Sequence, residues 1–113
     1  MDASKLTNAW VDKCLTREQV YQYLAENIAP EIHREQPVEL RHIAHLCHQL
    51  FLWTTKRVVL GDFLQAVVDD SLTRAIHAAD YTNKTALWVY VAFLYNVAPS
   101  GWRKALKELE EET

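Results

Sequence analysis

The sequence predicts a single compact all-α domain over residues 1–113, with about six or seven helices packed around one central apolar helix. Only 2 Gly and 3 Pro occur in 113 residues, whereas hairpins and phosphate-binding loops consume glycine at positive φ. Apolar residues recur every three or four positions, and no segment shows the clear alternation of a half-buried strand. The chain is 50% hydrophobic and 24% charged, a balance typical of a globular protein with an ordinary core.

The first two helices are predicted by spacing and by a start signal. Leu6, Trp10 and Cys14 recur every fourth position, which places one apolar stripe on a short first helix. Thr16 and Gln19 form the Thr-Arg-Glu-Gln pattern of a capping box, so a second helix begins there. Its predicted buried face contains Val20, Tyr21, Leu24 and Ile28.

The longest periodic segment extends from Pro37 to about Arg57. Pro30 and Pro37 bracket a polar connector, and Pro37 suits the first position of a helix. One broad side of this helix is apolar and is predicted to face the core. Its members are Leu40, Ile43, Leu46, Cys47, Leu50, Phe51, Trp53 and Thr54.

Three further helices are predicted between Gly61 and Val97. Gly61-Asp62 interrupts the pattern, Phe63 to Val68 resumes it, and Asp69-Asp70-Ser71 supplies cap formers for the next helix. That helix is predicted to turn three residues inward: Leu72, Ile76 and Ala79. After a turn at Asp80 to Asn83, the segment Leu87 to Val97 is apolar almost all round, which predicts a central helix enclosed by its neighbours.

Pro99 ends the central helix, and Ser100 can cap a last one. The apolar residues of that last helix stand at i, i+3, i+4 and i+7: Trp102, Ala105, Leu106 and Leu109.

Charge and cysteine usage indicate the compartment. The formal net charge of −3 is neither the basic signature of a general nucleic-acid binder nor the dense acidity of a nucleic-acid mimic. Cys14 and Cys47 are isolated, which predicts free thiols in a reducing compartment. The start shows no secretory signal, and the longest apolar run, Ala86 to Tyr95, is about half of the ~20 residues that a spanning helix needs. We therefore expect a soluble, cytoplasmic protein with no membrane association.

Three histidines on the long helix raise the question of a metal site. His42, His45 and His48 spread over about 120° of the helix, and Cys47 points toward the core side, so one ion could not take all four in tetrahedral array. The sequence favours ordinary surface or half-buried histidines, and a metal or pH-sensing role is the alternative. No cofactor is predicted.

The polar side of the same helix is a candidate partner-binding site. We call it the basic strip: Arg41, His45, His48, Gln49 and Lys56, with Leu52 among them. An apolar anchor inside a polar rim is a common feature of interfaces. An ordinary solvated helix face is the other interpretation, since a lone exposed Leu is normal.

The aromatic residues divide into two groups. Trp53 and Trp88 are predicted to lie in the core. Trp10, Tyr23 and Trp102 lie on terminal or less enclosed helices, where they could join the core or contact a partner.

No catalytic constellation is evident in the sequence. The acid-base candidates surround predicted cap and turn positions, which favours capping over proton transfer: Asp69, Asp70, His77 and Asp80. Since no nucleophile-base pattern, Walker loop or dinucleotide fingerprint occurs either, the sequence predicts a protein that is not an enzyme.

A string of residues in the second half is shared with a known group. It comprises Gly61-Asp62-Phe63-Leu64-Gln65-Ala66-Val67, Asp70, Leu72, Ala79-Asp80, Asn83, Phe93-Leu94-Tyr95-Asn96 and Pro99. Over roughly residues 50–99 the chain resembles short helical proteins carried by phages, plasmids and other mobile elements. The resemblance implies a helical fold and carries no known activity. Physically, the shared residues are cap, turn and core formers, and Asn96 either closes a helix end or lines a site.

The leading functional hypothesis is a non-catalytic interaction protein. Since mobile-element proteins often act on host proteins, its concrete version binds a host protein or complex and inhibits or modulates it, as an anti-CRISPR-like defence inhibitor would. The predicted partner-binding residues are Arg41, His45, His48, Leu52 and Lys56 of the basic strip, together with Trp102. The alternative is a small nucleic-acid-binding protein that uses the strip, although its sparse charge makes nucleic acid an unlikely partner. A third hypothesis is a homo-oligomer that forms through Leu52 or Trp102.

Overall fold

A computed structural model provides the fold and describes residues 2–27, 40–55, 57–80, 83–84, 86–99 and 101–102. Within these ranges the chain forms six helices and no strand, which confirms the all-α class. The helices are α1 (Ala3–Val11), α2 (Arg17–Asn27), α3 (Leu40–Thr54), α4 (Asp62–Val68), α5 (Leu72–Ala78) and α6 (Leu87–Asn96). Several predictions lie outside the described residues: Ile28, the connector from Pro30 to Pro37, Lys56 and the last helix beyond Trp102.

Local hydrogen bonds explain where α2 begins. The backbone N–H of Thr16 donates to Gln19 Oε1 at 2.9 Å, and the backbone N–H of Gln19 donates to Thr16 Oγ1 at 3.2 Å. The predicted capping box is therefore confirmed. Leu15 and Val20 flank it at the two positions of a hydrophobic staple, and both are buried.

Two helices end at a non-glycine residue with a positive φ, in a chain that has only 2 Gly. After α1, Lys13 adopts a left-handed backbone with φ of 60°, and the N–H of Cys14 donates to the carbonyl of Ala9 at 2.9 Å. After α4, Asp70 adopts a φ of 58°, and the N–H of Ser71 closes the same kind of bond. Both are Schellman motifs with a non-glycine residue at the left-handed position, where glycine is usual.

The core forms where α1, α3 and α6 meet. Trp10 of α1 packs between Phe51 of α3 and Phe93 of α6, with ring centroids 5.5 and 6.0 Å apart. Trp10 and Tyr23 are both buried, so the alternative that they contact a partner is wrong. On α3 the predicted core side is confirmed for five of its eight members, which are buried: Leu40, Ile43, Cys47, Leu50 and Phe51. Leu46, Trp53 and Thr54 are half-buried, so the assignment of Trp53 to the core holds only in part.

Two hydrogen bonds hold the inner side of α6 at its ends. Near the start, the Tyr90 hydroxyl donates to Asn83 Oδ1 at 2.7 Å, while the N–H of Asn83 donates to Asp80 Oδ1 at 2.8 Å. Burial raises the pKa of the Tyr90 phenol, so this group stays protonated and keeps donating. At the other end, the Thr7 hydroxyl of α1 donates to the carbonyl of Val97 at 2.7 Å. The predicted capping role of Asp80 is confirmed.

Candidate interaction surface

Helix α6 carries two apolar stripes, and only one of them is covered. The inner stripe is buried and contains Val89, Tyr90, Phe93 and Leu94. The outer stripe is open: Trp88, Val91 and Tyr95 are 45%, 52% and 88% exposed. The prediction that α6 is enclosed is wrong on this side, and so is the assignment of Trp88 to the core. The reason is that the described helices pack against the inner stripe alone.

Helix α5 adds apolar residues beside the outer stripe. Leu72 is 66% exposed and Ile76 is 41% exposed, so the prediction that both face inward is wrong. Within α5 only Ala75 is buried, and Ala79 beyond its end is buried as predicted. Because α5 is two turns long and meets the core through a small residue, its larger apolar side chains remain outside.

The exposed residues form one continuous surface. A groove of about 190 Å³ opens between α5 and α6 over a floor that includes Ala66 and Ala75. A shallower depression follows the outer side of α6 from Lys84 to Asn96, and both are lined by Leu87 and Val91. We call this surface the α5–α6 face, and the apolar residues that line its depressions include Leu72, Leu87, Trp88, Val91 and Tyr95. Ile76 stands one turn after Leu72 on the same side of α5 and is counted with them.

The size and charge of the α5–α6 face indicate which kind of partner it can bind. Its five exposed side chains offer on the order of 500 Å² of apolar area, which reaches the size of the largest, often functional, patch on a typical monomer. Asp70 and Lys84 are the charged groups among the described residues that line the two depressions. The groove is smaller than a typical ligand pocket of roughly 300 Å³ or more, so it fits an apolar side chain better than a cofactor or substrate. The depression along α6 is larger, about 730 Å³, but it is shallow and open to solvent.

The first turn of α3, where the basic strip begins, has a different environment, because side chains of α2 contact Arg41 there. The Arg41 guanidinium lies over the Tyr21 ring, 4.1 Å from its centroid, and pairs with the Glu18 carboxylate at 3.6 Å. Arg41 is exposed, but its planar group is engaged within the chain.

His48 is also engaged with the α2 side. Its Nε2 lies 2.9 Å from the carbonyl of Leu15, so this nitrogen carries the proton and donates. The other ring nitrogen, Nδ1, is buried without a hydrogen-bond partner, as are His45 Nδ1 and His42 Nε2. Burial is the main cause that lowers the pKa values of His45 and His48, and the nearby Arg17 lowers them further. His45 and His48 are half-buried and resist protonation.

The remaining members of the predicted site do not stand on an open apolar surface. Leu52 is half-buried against the core, which corrects the expectation that it is an exposed anchor. Trp102 is half-buried too and packs edge-on against Trp53, with ring centroids 6.1 Å apart. Lys56 lies outside the described residues. Binding of a protein or nucleic acid through the strip stays a prediction.

Neither cysteine joins a ligand cluster. Cys14 and Cys47 are free, as predicted. Cys47 is fully buried, and burial raises the pKa of its thiol, so it behaves as a small core residue. In the part of the chain that the structure describes, no group of three or more ligating side chains is placed to hold a metal ion.

Comparisons with protein families, with curated proteins and with solved structures each find no match to this chain. Of the helices in the described ranges, none has the length and apolar character needed to cross a membrane.

Reasoning from the sequence missed the α5–α6 face, although a signal for it exists. Trp88, Val91 and Tyr95 stand at i, i+3 and i+7 on the side of α6 opposite Phe93. The helix therefore carries two apolar stripes rather than one. A second stripe requires either a further covering element or an external partner.

Proposed function

We propose that this chain is a non-catalytic protein-interaction module that binds its partner through the α5–α6 face. The observation that carries the proposal is the pair of adjacent helices whose large apolar side chains point outward, with Tyr95 88% exposed. Burial of an exposed apolar area of this size is the ordinary driving force of protein association. The groove beside Val91 would receive one apolar anchor residue of the partner, with the aromatic rings around it.

The concrete version is an accessory protein of a phage or mobile element that binds a host protein complex and inhibits or modulates it. Its support is the resemblance over residues 50–99. That stretch includes all of α4, α5 and α6, and therefore every apolar residue of the α5–α6 face.

The test compares three versions of the chain in a bacterial host with an active phage-defence system. The variant Val91→Arg places a charge in the α5–α6 face, and Val59→Arg makes the same change at a valine that is 92% exposed and lines neither depression. We expect the wild type and Val59→Arg to capture the same stoichiometric host protein and to weaken defence. Val91→Arg should do neither.

Equal capture by all three versions would exclude the α5–α6 face as the binding surface. Defence that stays intact while a partner is captured would exclude the defence-inhibitor version and leave the interaction module.

A further inference from the structure

We infer that the α5–α6 face also binds a second copy of this chain, with the two α6 helices antiparallel across a two-fold axis that passes between Val91 and Ala92. This inference rests on the proposed function, because it names a partner for the same face. It differs from a homo-oligomer formed through Leu52 or Trp102, which are half-buried elsewhere.

The spacing of the outer stripe is self-complementary. In an antiparallel pair about this axis, Trp88 of one copy lies opposite Tyr95 of the other, and Val91 lies opposite Ala92. Each aromatic ring therefore meets an aromatic ring, while the small Ala92 at the centre lets the helix axes approach. A two-fold interface requires such a surface, since the same patch must fit itself.

The charges on the face also suit a second copy. The whole chain carries a formal net charge of −3, yet among the described residues that line the two depressions there is one anion, Asp70, and one cation, Lys84. Two such faces do not repel each other. Lys84 lies three residues before the start of α6, so antiparallel pairing brings its ammonium toward the C-terminal end of the other α6, where the helix dipole is negative.

The exposed apolar area of the α5–α6 face predicts weak association between two copies of the chain. The face offers on the order of 500 Å² of apolar surface, compared with roughly 800 Å² per partner in a stable interface of standard size. The pair should therefore dissociate in the micromolar range. A host partner that uses the same side chains then competes with the second copy, and the two modes of binding exclude each other.

The test is the molar mass in solution, by light scattering or sedimentation equilibrium, from about 1 μM to about 500 μM, the range of weak contacts. For the wild type and for Val59→Arg, we expect the mass to rise with concentration from 13.1 kDa toward twice that value. Val91→Arg should stay monomeric while its melting temperature remains near that of the wild type. The double variant Val91→Arg/Ala92→Glu should regain association, because the added cation of each copy lies opposite the added carboxylate of the other.

Each of the other outcomes overturns the inference. A wild type that stays monomeric at the highest concentration excludes the second copy, while the proposed function is judged separately by host capture. A dimer that persists in Val91→Arg lies on another surface, and failure of the double variant to recover excludes the antiparallel register.

Discussion

The α2–α3 contact and the α5–α6 face are opposites in polarity and in covering. At the α2–α3 contact, Arg41 is engaged by side chains of α2, and His48 is engaged by the carbonyl of Leu15 just before α2. At the α5–α6 face, apolar side chains such as Val91 and Tyr95 are open to solvent. Helix packing explains the difference: α2 packs along α3, whereas α5 packs mainly against α4 and leaves one side of α6 uncovered. The polarity of a side chain therefore sets the free energy that its burial would yield, whereas the neighbouring helices decide whether it is buried.

The largest expected effect is a difference in the free energy of unfolding between a variant of the inner stripe of α6 and a variant of the outer stripe. Phe93→Ala should lower the free energy of unfolding by roughly 3–5 kcal/mol, because it removes a fully buried ring packed against Trp10. Tyr95→Ala, two residues later, should change it by less than about 0.5 kcal/mol. Denaturant unfolding of both variants measures the contrast. A large loss in Tyr95→Ala would mean that the outer stripe is covered within the folded chain.

A second variant tests the polar contact between α3 and the segment before α2. His48→Ala removes the ring N–H that reaches the carbonyl of Leu15, and it should cost about 1–2 kcal/mol. The exposed His77 of α5 supplies the control, since His77→Ala should stay within about 0.5 kcal/mol of the wild type. Chemical unfolding at pH 7.5 measures both, and equal effects would remove the distinction between the two regions.

Stability should fall as the pH is lowered. Burial and nearby cations hold the pKa values of His45 and His48 below their ordinary value near 6.5, so the unfolded chain binds more protons below that pH. This contribution is complete above the ordinary pKa and is lost as the pH drops through about 6.5 and below. The melting temperature should therefore decrease from pH 7.5 to pH 5.5, and less steeply in His48→Gln.

One result would contradict the assignment of this pH dependence to His45 and His48. A double variant His45→Gln/His48→Gln that keeps the full slope between pH 7.5 and 5.5 would assign the effect to other groups.

The smallest expected effect concerns the edge of the α2–α3 contact. Arg41→Ala removes an exposed ion pair and a cation–π contact, so it should cost roughly 0.5–1 kcal/mol, and Arg41→Lys less. Thermal unfolding measures the loss. A contrary outcome would be that Arg41 serves nucleic-acid binding. Fluorescence anisotropy with a labelled duplex at low salt tests this: salt-sensitive binding that Arg41→Ala abolishes would support nucleic-acid recognition by the basic strip.

Much of the local structure could be predicted because its causes lie within a few residues. The capping box at Thr16 and Gln19 and the cap at Asp80 are hydrogen bonds between near neighbours in the chain. The core side of α3 follows from the spacing of Ile43 and its successors, since the helical period places them on one side.

The candidate site could not be predicted in the same way. Trp88 and Phe93 belong to one uninterrupted apolar segment, and periodicity cannot say which side of it meets α3. Likewise, the polarity of Arg41 gives no sign that the Tyr21 ring lies beneath it, because that contact joins two helices separated by the connector.

By itself, the sequence determined the all-α class, several helix starts and two unpaired thiols, because helical period, capping and cysteine spacing are properties of short segments. Only the tertiary structure decided that Arg41 of the basic strip lies against α2 and that the outer stripe of α6 stays open. The physical reason is that hydrophobicity sets the free energy gained on burial, while the lengths and packing directions of the helices decide which surfaces find a partner within the chain.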